Sequence, residues 1–469
     1  MTLVAGVDSS TQSTKVEIRD AGSGELVASA SAPHPATTPP RSEQDPASWW
    51  SAFETAWSAV GSPAVAAISV AGQQHGMVAL DASGAVIRAA KLWNDTEAAP
   101  DAGWLLQQLP GGAPDWVAAC GSVPVAAFTI AKLSWLHRSE PDHWARMTKI
   151  VLPHDWLTSR LTGAFTTDRG DASGTGYWSA ATGEYCWDLL AIIDRDRDWS
   201  DAVPTVLGPL DVAGEWQGAL VAPGTGDNMA AALGLGLAAG DAVMSFGTSG
   251  TVYAGSAAPV ADASGAVAGF ADATGAFLPL VCTLNAMKVI DAAARLLGVD
   301  RAEFDRLALA AVPGAGGLTL LPYLDGERTP NRPKATGSMT GLRSDVTREQ
   351  FARATVEGVV CGLLDGLDAL AAHVPVIDRV VLVGGGARSA AVRHVAAALG
   401  NRPVVVAATD EVVATGACVQ ATAVLAERSP TDIAREWGLG GGELVEHDVD
   451  GDAAVAVRAA YAALRDRFA

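Results

Sequence analysis

One local pattern occurs twice in this chain, and it limits the fold to architectures built from two comparable halves. At the start, the apolar run Leu3-Val-Ala-Gly-Val7 leads into Asp8-Ser-Ser-Thr-Gln-Ser-Thr14 and returns through Lys15-Val-Glu-Ile18. Near the middle, Asp241-Ala-Val-Met-Ser-Phe246 leads into Gly247-Thr-Ser-Gly250 and returns through Thr251-Val-Tyr253. Each reads as a strand, a turn of small hydroxyl residues and an alternating strand. Taken singly, either is an ordinary hairpin; their places at the head of two halves give the pattern its weight. Composition changes between them: of 14 tryptophans, only Trp437 lies beyond Trp216. These observations divide the chain into 1–240 and 241–469.

The rest of the chain alternates strands with helices, which predicts an α/β class. Ala64–Val70, Ile150–Leu152, Arg379–Val383 and Pro403–Val406 read as strands. Ser48–Val60, Asp101–Gln108, Ser389–Leu399, Glu411–Leu425 and Ala453–Phe468 read as helices. Arg348–Ala372 reads as a long helix with one apolar stripe. Ala254–Gly275, rich in Gly, Ala and Ser, reads as surface hairpins. Acidic residues number 52 against 32 Lys and Arg, a net charge of −20. That charge argues against nucleic acid or an anionic membrane as a partner. It leaves room for a small anion held by backbone N–H groups. The five cysteines form no CxxC pair, so neither a disulfide framework nor a zinc site is expected, and a reducing cytoplasm fits. The N-terminus lacks a signal-peptide pattern, and the longest apolar run, Met229–Ala239, is too short for a membrane span.

Several segments have the residue types that chemistry needs. Asp8, at a strand end and followed by hydroxyls, suits a hard cation and phosphate; the plainer alternative is an Asx-turn. Gly247-Thr248-Ser249-Gly250 offers approachable backbone and hydroxyls, or simply a tight turn. Gly384-Gly385-Gly386 joins a buried strand to a helix, where nucleotides often bind and where sharp turns also occur. Asp227-Asn228 follows glycines and opens a small-residue helix, so Asp227 reads as a cap or as a general base. Gln73-Gln74-His75-Gly76 and Trp93-Asn94-Asp95 bring amides, an imidazole and an indole, which suit a polyhydroxylated ligand or an ordinary polar loop.

In this order the segments resemble the FGGY family of carbohydrate kinases, and the likeness covers essentially the whole chain. Gly337-Ser-Met339-Thr-Gly341-Leu342, seven residues, then Gln350-Phe351-Ala-Arg-Ala354-Thr355-Val356-Glu357 is similar to the family's C-terminal signature. Thr129-Ile-Ala-Lys132-Leu133-Ser-Trp135-Leu136 matches the earlier signature except at Ala127, and Leu321–Pro330 is typical. The resemblance implies a two-domain actin-like (ribonuclease H-like) fold with an interdomain catalytic cleft. It assigns sugar and base to 1–240 and ATP to 241–469. It implies that Asp227 is the base, and that Asp8 and Asp227 reach Mg²⁺ through water. It also implies that Gln74, His75, Trp93, Asp227 and Asn228 contact the sugar. Thr11, Gly247 and Thr248 would hold phosphates, and Gly384, Gly385 and Gly386 the adenosine end. Ser42-Glu-Gln-Asp45-Pro46 with Trp49-Trp50, Gln73–Gly76 and Trp93–Asp95 resemble the family's xylulose-phosphorylating branch, implying D-xylulose as acceptor. Another ketose or polyol (ribulose, erythritol, glycerol) and a non-kinase actin-like ATP-binding protein are the alternatives. A cytoplasmic setting is expected; the oligomeric state is left open, a homodimer being common in the family. Two positions depart from the pattern: Ser10 where the first loop usually has glycine, and Gln74 where relatives often carry Met.

Overall fold

The computed structural model describes residues 1–409 and 411–468. They form two compact units: Met1–Leu237 with Ala257–Leu278 and Glu411–Gly440 in the first, and the remaining described residues in the second. A single cut at 240/241 leaves out the two later returns to the first unit.

The first unit is built on a mixed sheet of β1 (Leu3–Ser9), β2 (Ser13–Asp20), β3 (Leu26–Pro33), β4 (Ala67–Gly72), β5 (Gly214–Trp216), β6 (Ala219–Val221) and β7 (Thr225–Gly226). Their order is β5-β6-β4-β1-β2-β3, with β7 also on β4. β1 and β2 are the first hairpin, antiparallel, while β4 runs parallel to β1. β4 is buried at every residue because helices cover both faces of the sheet. On one face, helix Pro46–Ala59 contributes Trp49, Phe53 and Trp57 to a core shared with Val7, Ile18, Ile68 and Trp156. Trp57 meets Trp216 edge-on at 5.0 Å. Five of the tryptophans before residue 217, Trp49, Trp50, Trp57, Trp156 and Trp216, belong to this core or pack against it. On the other face lies helix Val412–Ala426, whose Cys418 packs on Val4 and Ala67. It comes so close that a Cβ on Gly6 would lie 2.1 Å from the Ala414 carbonyl oxygen.

The second unit repeats the plan. β8 (Asp241–Phe246), β9 (Gly250–Ala254), β10 (Phe277–Thr283), β11 (Arg379–Val383), β12 (Val404–Ala407) and β13 (Gly442–Leu444) run in the order β10-β9-β8-β11-β12-β13. β8 and β9 are the second hairpin, and β11 runs parallel to β8. The sequence likeness of the two halves is thus a likeness of strand order and direction.

Two expectations fail. The stretch read as surface hairpins is not all surface: Phe270 and Ala271 are buried, Gly269 N–H donates to the Gly121 carbonyl, and Ala271 N–H to Ser173 Oγ. A Cβ on Gly269 would lie 2.1 Å from the Val260 carbonyl oxygen, so the small residues there serve close packing rather than turning. Helix Arg348–Ala371 is buried on nearly all sides rather than along one stripe. Even Arg353 and Glu357 are inside, joined Nε to Oε1 at 2.6 Å, with Gly314 N–H also donating to Glu357. All five cysteines are free. Among the described residues, no helix is long and apolar enough to cross a membrane.

Candidate functional site

In the first unit, strand register gathers the expected residues at one sheet edge. Asp8 pairs with Ala71, and Ser9 with Gly72. On the other side of β4, Thr225 pairs with Ala71, and Gly226 with Gly72. β1, β4 and β7 therefore end level with one another. Asp8, Gln73-Gln74-His75 and Asp227-Asn228 leave the sheet side by side, at the carboxyl ends of parallel strands where α/β folds place ligands.

Asp227 is the first residue of helix Asp227–Gly234, with Gly226 in the capping position. Desolvation raises its pKa to about 8, and the charges of Asp8 and Asp171 add to the shift. Asp8 is raised to about 6 by desolvation, against the opposing pull of the Ser10 hydroxyl and Lys15. Two neighbouring carboxyls that are both reluctant to ionise, flanked by a serine hydroxyl, form an oxygen donor set that fits a hard divalent cation. The free carboxylate of Asp227 is also a strong proton acceptor near neutral pH.

Asn228 Nδ2 donates to Gln74 Oε1 at 2.8 Å and to Asp227 Oδ1 at 3.0 Å. Gln74 Nε2 and Gln73 Nε2 are buried donors without a partner among the described residues. Such orphans are costly unless a ligand satisfies them. His75 sits at φ 66°, a conformation that is unusual without glycine. The fold holds it there: His75 Nδ1 donates to the Gly174 carbonyl at 2.8 Å, and the His75 carbonyl accepts from Lys132 Nζ at 3.1 Å. Its ring packs on Phe128 and Phe270, with centroids 4.9 and 5.6 Å away.

Thr11 links the edge to Trp93. Its hydroxyl donates to Gln73 Oε1 at 3.0 Å and accepts from Trp93 Nε1 at 2.9 Å. With its one hydroxyl proton on Gln73, Thr11 would offer a phosphate only its backbone while that bond stands. Its carbonyl accepts from Gln44 Nε2, and Gln44 Oε1 accepts from the buried Trp49 indole at 2.7 Å. The segment Ser42–Pro46 with Trp49 thus supports the Asp8–Thr14 loop from beneath. Asp95 accepts from Ser42 N–H and Lys91 Nζ. Lys91 Nζ lies 3.1, 3.0 and 2.6 Å from Glu43, Asp95 and Glu97, so an ammonium group neutralises this acidic cluster.

In the second unit, Ser245 pairs with Val383, so Gly247-Thr248 and Gly384-Gly385-Gly386 leave neighbouring parallel strands together. Gly384 has φ 83°, and a Cβ there would lie 2.9 Å from the Phe246 carbonyl oxygen. A Cβ on Gly386 would lie 2.5 Å from Met287 Sδ, whereas Gly385 faces open space. The Gly247 and Thr248 carbonyls accept from the N–H groups of Met287 and Lys288, which fixes the turn. After a 3₁₀ turn at Gly385–Arg388, helix Ala390–Leu399 is capped by the Ser389 hydroxyl.

Residues absent from the sequence reading also meet here. Gln73 and Gln44 lay inside segments already singled out. His154, Asp168 and Asp171 had no signal, since their grouping arises only when helix Pro153–Thr162 packs behind β4.

Two family models match the chain: the N-terminal domain of the FGGY family of carbohydrate kinases over residues 3–238 and its C-terminal domain over 242–425. A xylulose kinase of Streptomyces coelicolor is 46% identical over 456 residues, covering 95% of this chain and 92% of that one. A xylulose kinase of Haemophilus influenzae is 34% identical, covering 89% of each. The crystal structure of xylulose kinase from Bifidobacterium adolescentis has 44% identity and a TM-score of 0.88, with 99% of each chain covered.

Proposed function

Because the chain belongs to the FGGY family of carbohydrate kinases, we propose that it transfers the terminal phosphoryl group of ATP to D-xylulose, giving D-xylulose 5-phosphate. The observation that carries this reading is the common edge of β1, β4 and β7, where a proton-seeking carboxylate stands beside unsatisfied amide donors. The 46% identity to a xylulose kinase favours that ketose as acceptor.

In this reading Asp227 takes the proton from the attacking hydroxyl. Asn228, bonded to both Asp227 and Gln74, keeps the carboxylate oriented. Gln74 Nε2 and the His75 ring contact the sugar hydroxyls, and Trp93 flanks them. Asp8 and Asp227 would hold Mg²⁺, which when bound supplies charge neutralisation for the phosphates. Gly247, Thr248 and the bare Gly385 turn would take the nucleotide. The free cysteines suit a reducing cytoplasm.

The test is ADP release with Mg-ATP against D-xylulose, D-ribulose, L-ribulose, glycerol and no acceptor. The expected result is the highest kcat/KM with D-xylulose; a preference for any other acceptor overturns the substrate. A second expectation concerns Thr11. Thr11→Val leaves the exposed Trp93 N–H to water and the buried Gln73 carbonyl oxygen without its donor; with both side chains loosened, the acceptor KM should rise roughly tenfold, about 1.4 kcal/mol. Steady-state kinetics check this; a larger rise in the KM for ATP would assign the hydroxyl to the phosphates instead.

A further inference from the structure

Behind the acceptor edge lies a buried ionic cluster that takes no direct part in the proposed chemistry. His154, Asp155 and Asp171 are at most 1% exposed, and Asp168 is 2% exposed. His154 Nδ1 donates to Asp171 Oδ2 at 2.7 Å, while Nε2 faces Asp155 Oδ1 at 3.1 Å and Asp168 Oδ1 at 3.7 Å. The surrounding backbone is shaped around the ring. A Cβ on Gly72 would lie 2.9 Å from His154 Cβ, and one on Gly224 would lie 2.6 Å from Cδ2. Those glycines sit at the end of β4 and just before β7.

The carboxylates connect the ring to both halves of the acceptor site. The backbone N–H of His75 lies close enough to Asp171 to favour its ionised form. Asp168 accepts from the Thr225 hydroxyl at 2.7 Å and from Gly170 N–H at 2.8 Å. Thr225 is in β7, directly before Gly226 and Asp227. Burial raises the pKa of all three carboxyls, that of Asp155 to about 7, and the neighbouring His154 charge opposes the rise. Burial pulls the His154 pKa down, but the charges of Asp155, Asp171 and Asp168 outweigh it and raise it to about 9.

We propose that His154 is a positioning residue for the acceptor site: its imidazolium holds Asp171 beneath the His75 turn and Asp168 against Thr225, fixing His75 and Asp227 where the sugar is received. This rests on the assignment of His75 and Asp227 to that site. A cluster that merely filled the core would weaken the whole protein without favouring one substrate. A positioning cluster affects the sugar and leaves the nucleotide alone.

The experiment is steady-state kinetics in both substrates for wild type, His154→Gln, His154→Lys and Asp171→Asn, with His75→Ala and Asp227→Ala alongside. His154→Gln should lower kcat/KM for D-xylulose by up to about 100-fold, the scale of a small misplacement of the groups that receive the sugar, with a raised KM for D-xylulose and an unchanged KM for ATP. His154→Lys, which keeps a cation, should recover much of that loss. An unchanged xylulose KM, a parallel loss for both substrates, or a Lys variant no better than Gln overturns the proposal. If His154→Gln does not fold, Asp171→Asn must show the same sugar-selective loss; failure of both to fold makes the cluster plain core and overturns it too. Unchanged acceptor kinetics in His75→Ala and Asp227→Ala overturns the site assignment itself and the proposal with it.

Discussion

Asp227→Asn lowers turnover of D-xylulose by about 10²–10⁴-fold, the usual contribution of a positioned base, and makes the metal-free protein more stable at pH 8. The activity loss follows from the missing proton acceptor. The shape is kept, because the asparagine Oδ1 can still accept from Asn228 Nδ2. The stability gain follows from proton linkage. Desolvation, with Asp8 and Asp171 nearby, raises the folded-state pKa of Asp227 from 3.8 to about 8. The folded state therefore binds this proton more tightly than the unfolded state does. Ionisation costs the fold nothing below pH 3.8; the cost grows as pH rises from there and levels off above about pH 8. Asparagine does not ionise and escapes the cost. Thermal unfolding without Mg²⁺ should give the variant the higher Tm at pH 8, with the difference shrinking towards pH 4. Mg²⁺ should narrow the difference at pH 8 by stabilising only the parent. A variant that keeps most of its turnover removes Asp227 as the base; one no more stable than the parent at pH 8 removes the desolvation argument. Activity and stability would then be opposed at one residue, as at other sites held in an unfavourable state for function.

The parts of this design visible in the sequence are local. Alternating apolar residues mark β1, β2, β8 and β9, and the small hydroxyl residues between them mark the turns, because both signals span a few neighbouring positions. Asp8 and Asp227 stood out because each follows glycines or a buried strand. What joins them is not local. β7 is two residues long and shows no periodicity, yet its register beside Gly72 delivers Asp227 to the edge. The Thr11–Trp93 hydrogen bond spans 82 positions in sequence. The strongest motif resemblance also proved to be about packing. Glu357 pairs with Arg353 inside a helix, and Gly341, at φ 79°, lets its backbone approach the Gly317 carbonyl. These residues serve packing in this chain, and their contacts reveal nothing of the substrate. Small residues mislead in the same way. Gly, Ala and Ser between 254 and 275 suit turns in the sequence and suit tight contact in the fold, and local composition does not separate the two uses.

Close contact also predicts the largest loss of stability. Gly416→Val should unfold the first unit at a much lower temperature than the parent. Helix Val412–Ala426 crosses helix Asp227–Gly234 backbone to backbone. A Cβ on Gly416 would lie 1.8 Å from the Ala230 carbonyl oxygen, and one on Gly234 would lie 1.8 Å from the Val412 carbonyl oxygen. Each glycine is open to the other helix's main chain. The obstructing atoms are backbone in buried helices, so no side chain can rotate away. Overpacking of a core costs about 1–3 kcal/mol and sometimes more; with two rigid backbones the expected loss is about 3 kcal/mol or above. For a unit of this size that corresponds to a fall in Tm of roughly 6–12 °C. Gly416→Ala should already show part of the fall, because the first added carbon makes the clash. The helix being displaced begins with Asp227, so the fraction still folded at low temperature should turn over more slowly than the parent. This pattern is the opposite of Asp227→Asn, which is inactive but stable. Thermal unfolding of both glycine variants, read beside their low-temperature kcat, checks the point. A Tm equal to the parent's would show that the two helices can separate without cost, and that Asp227 is not held in place by their contact.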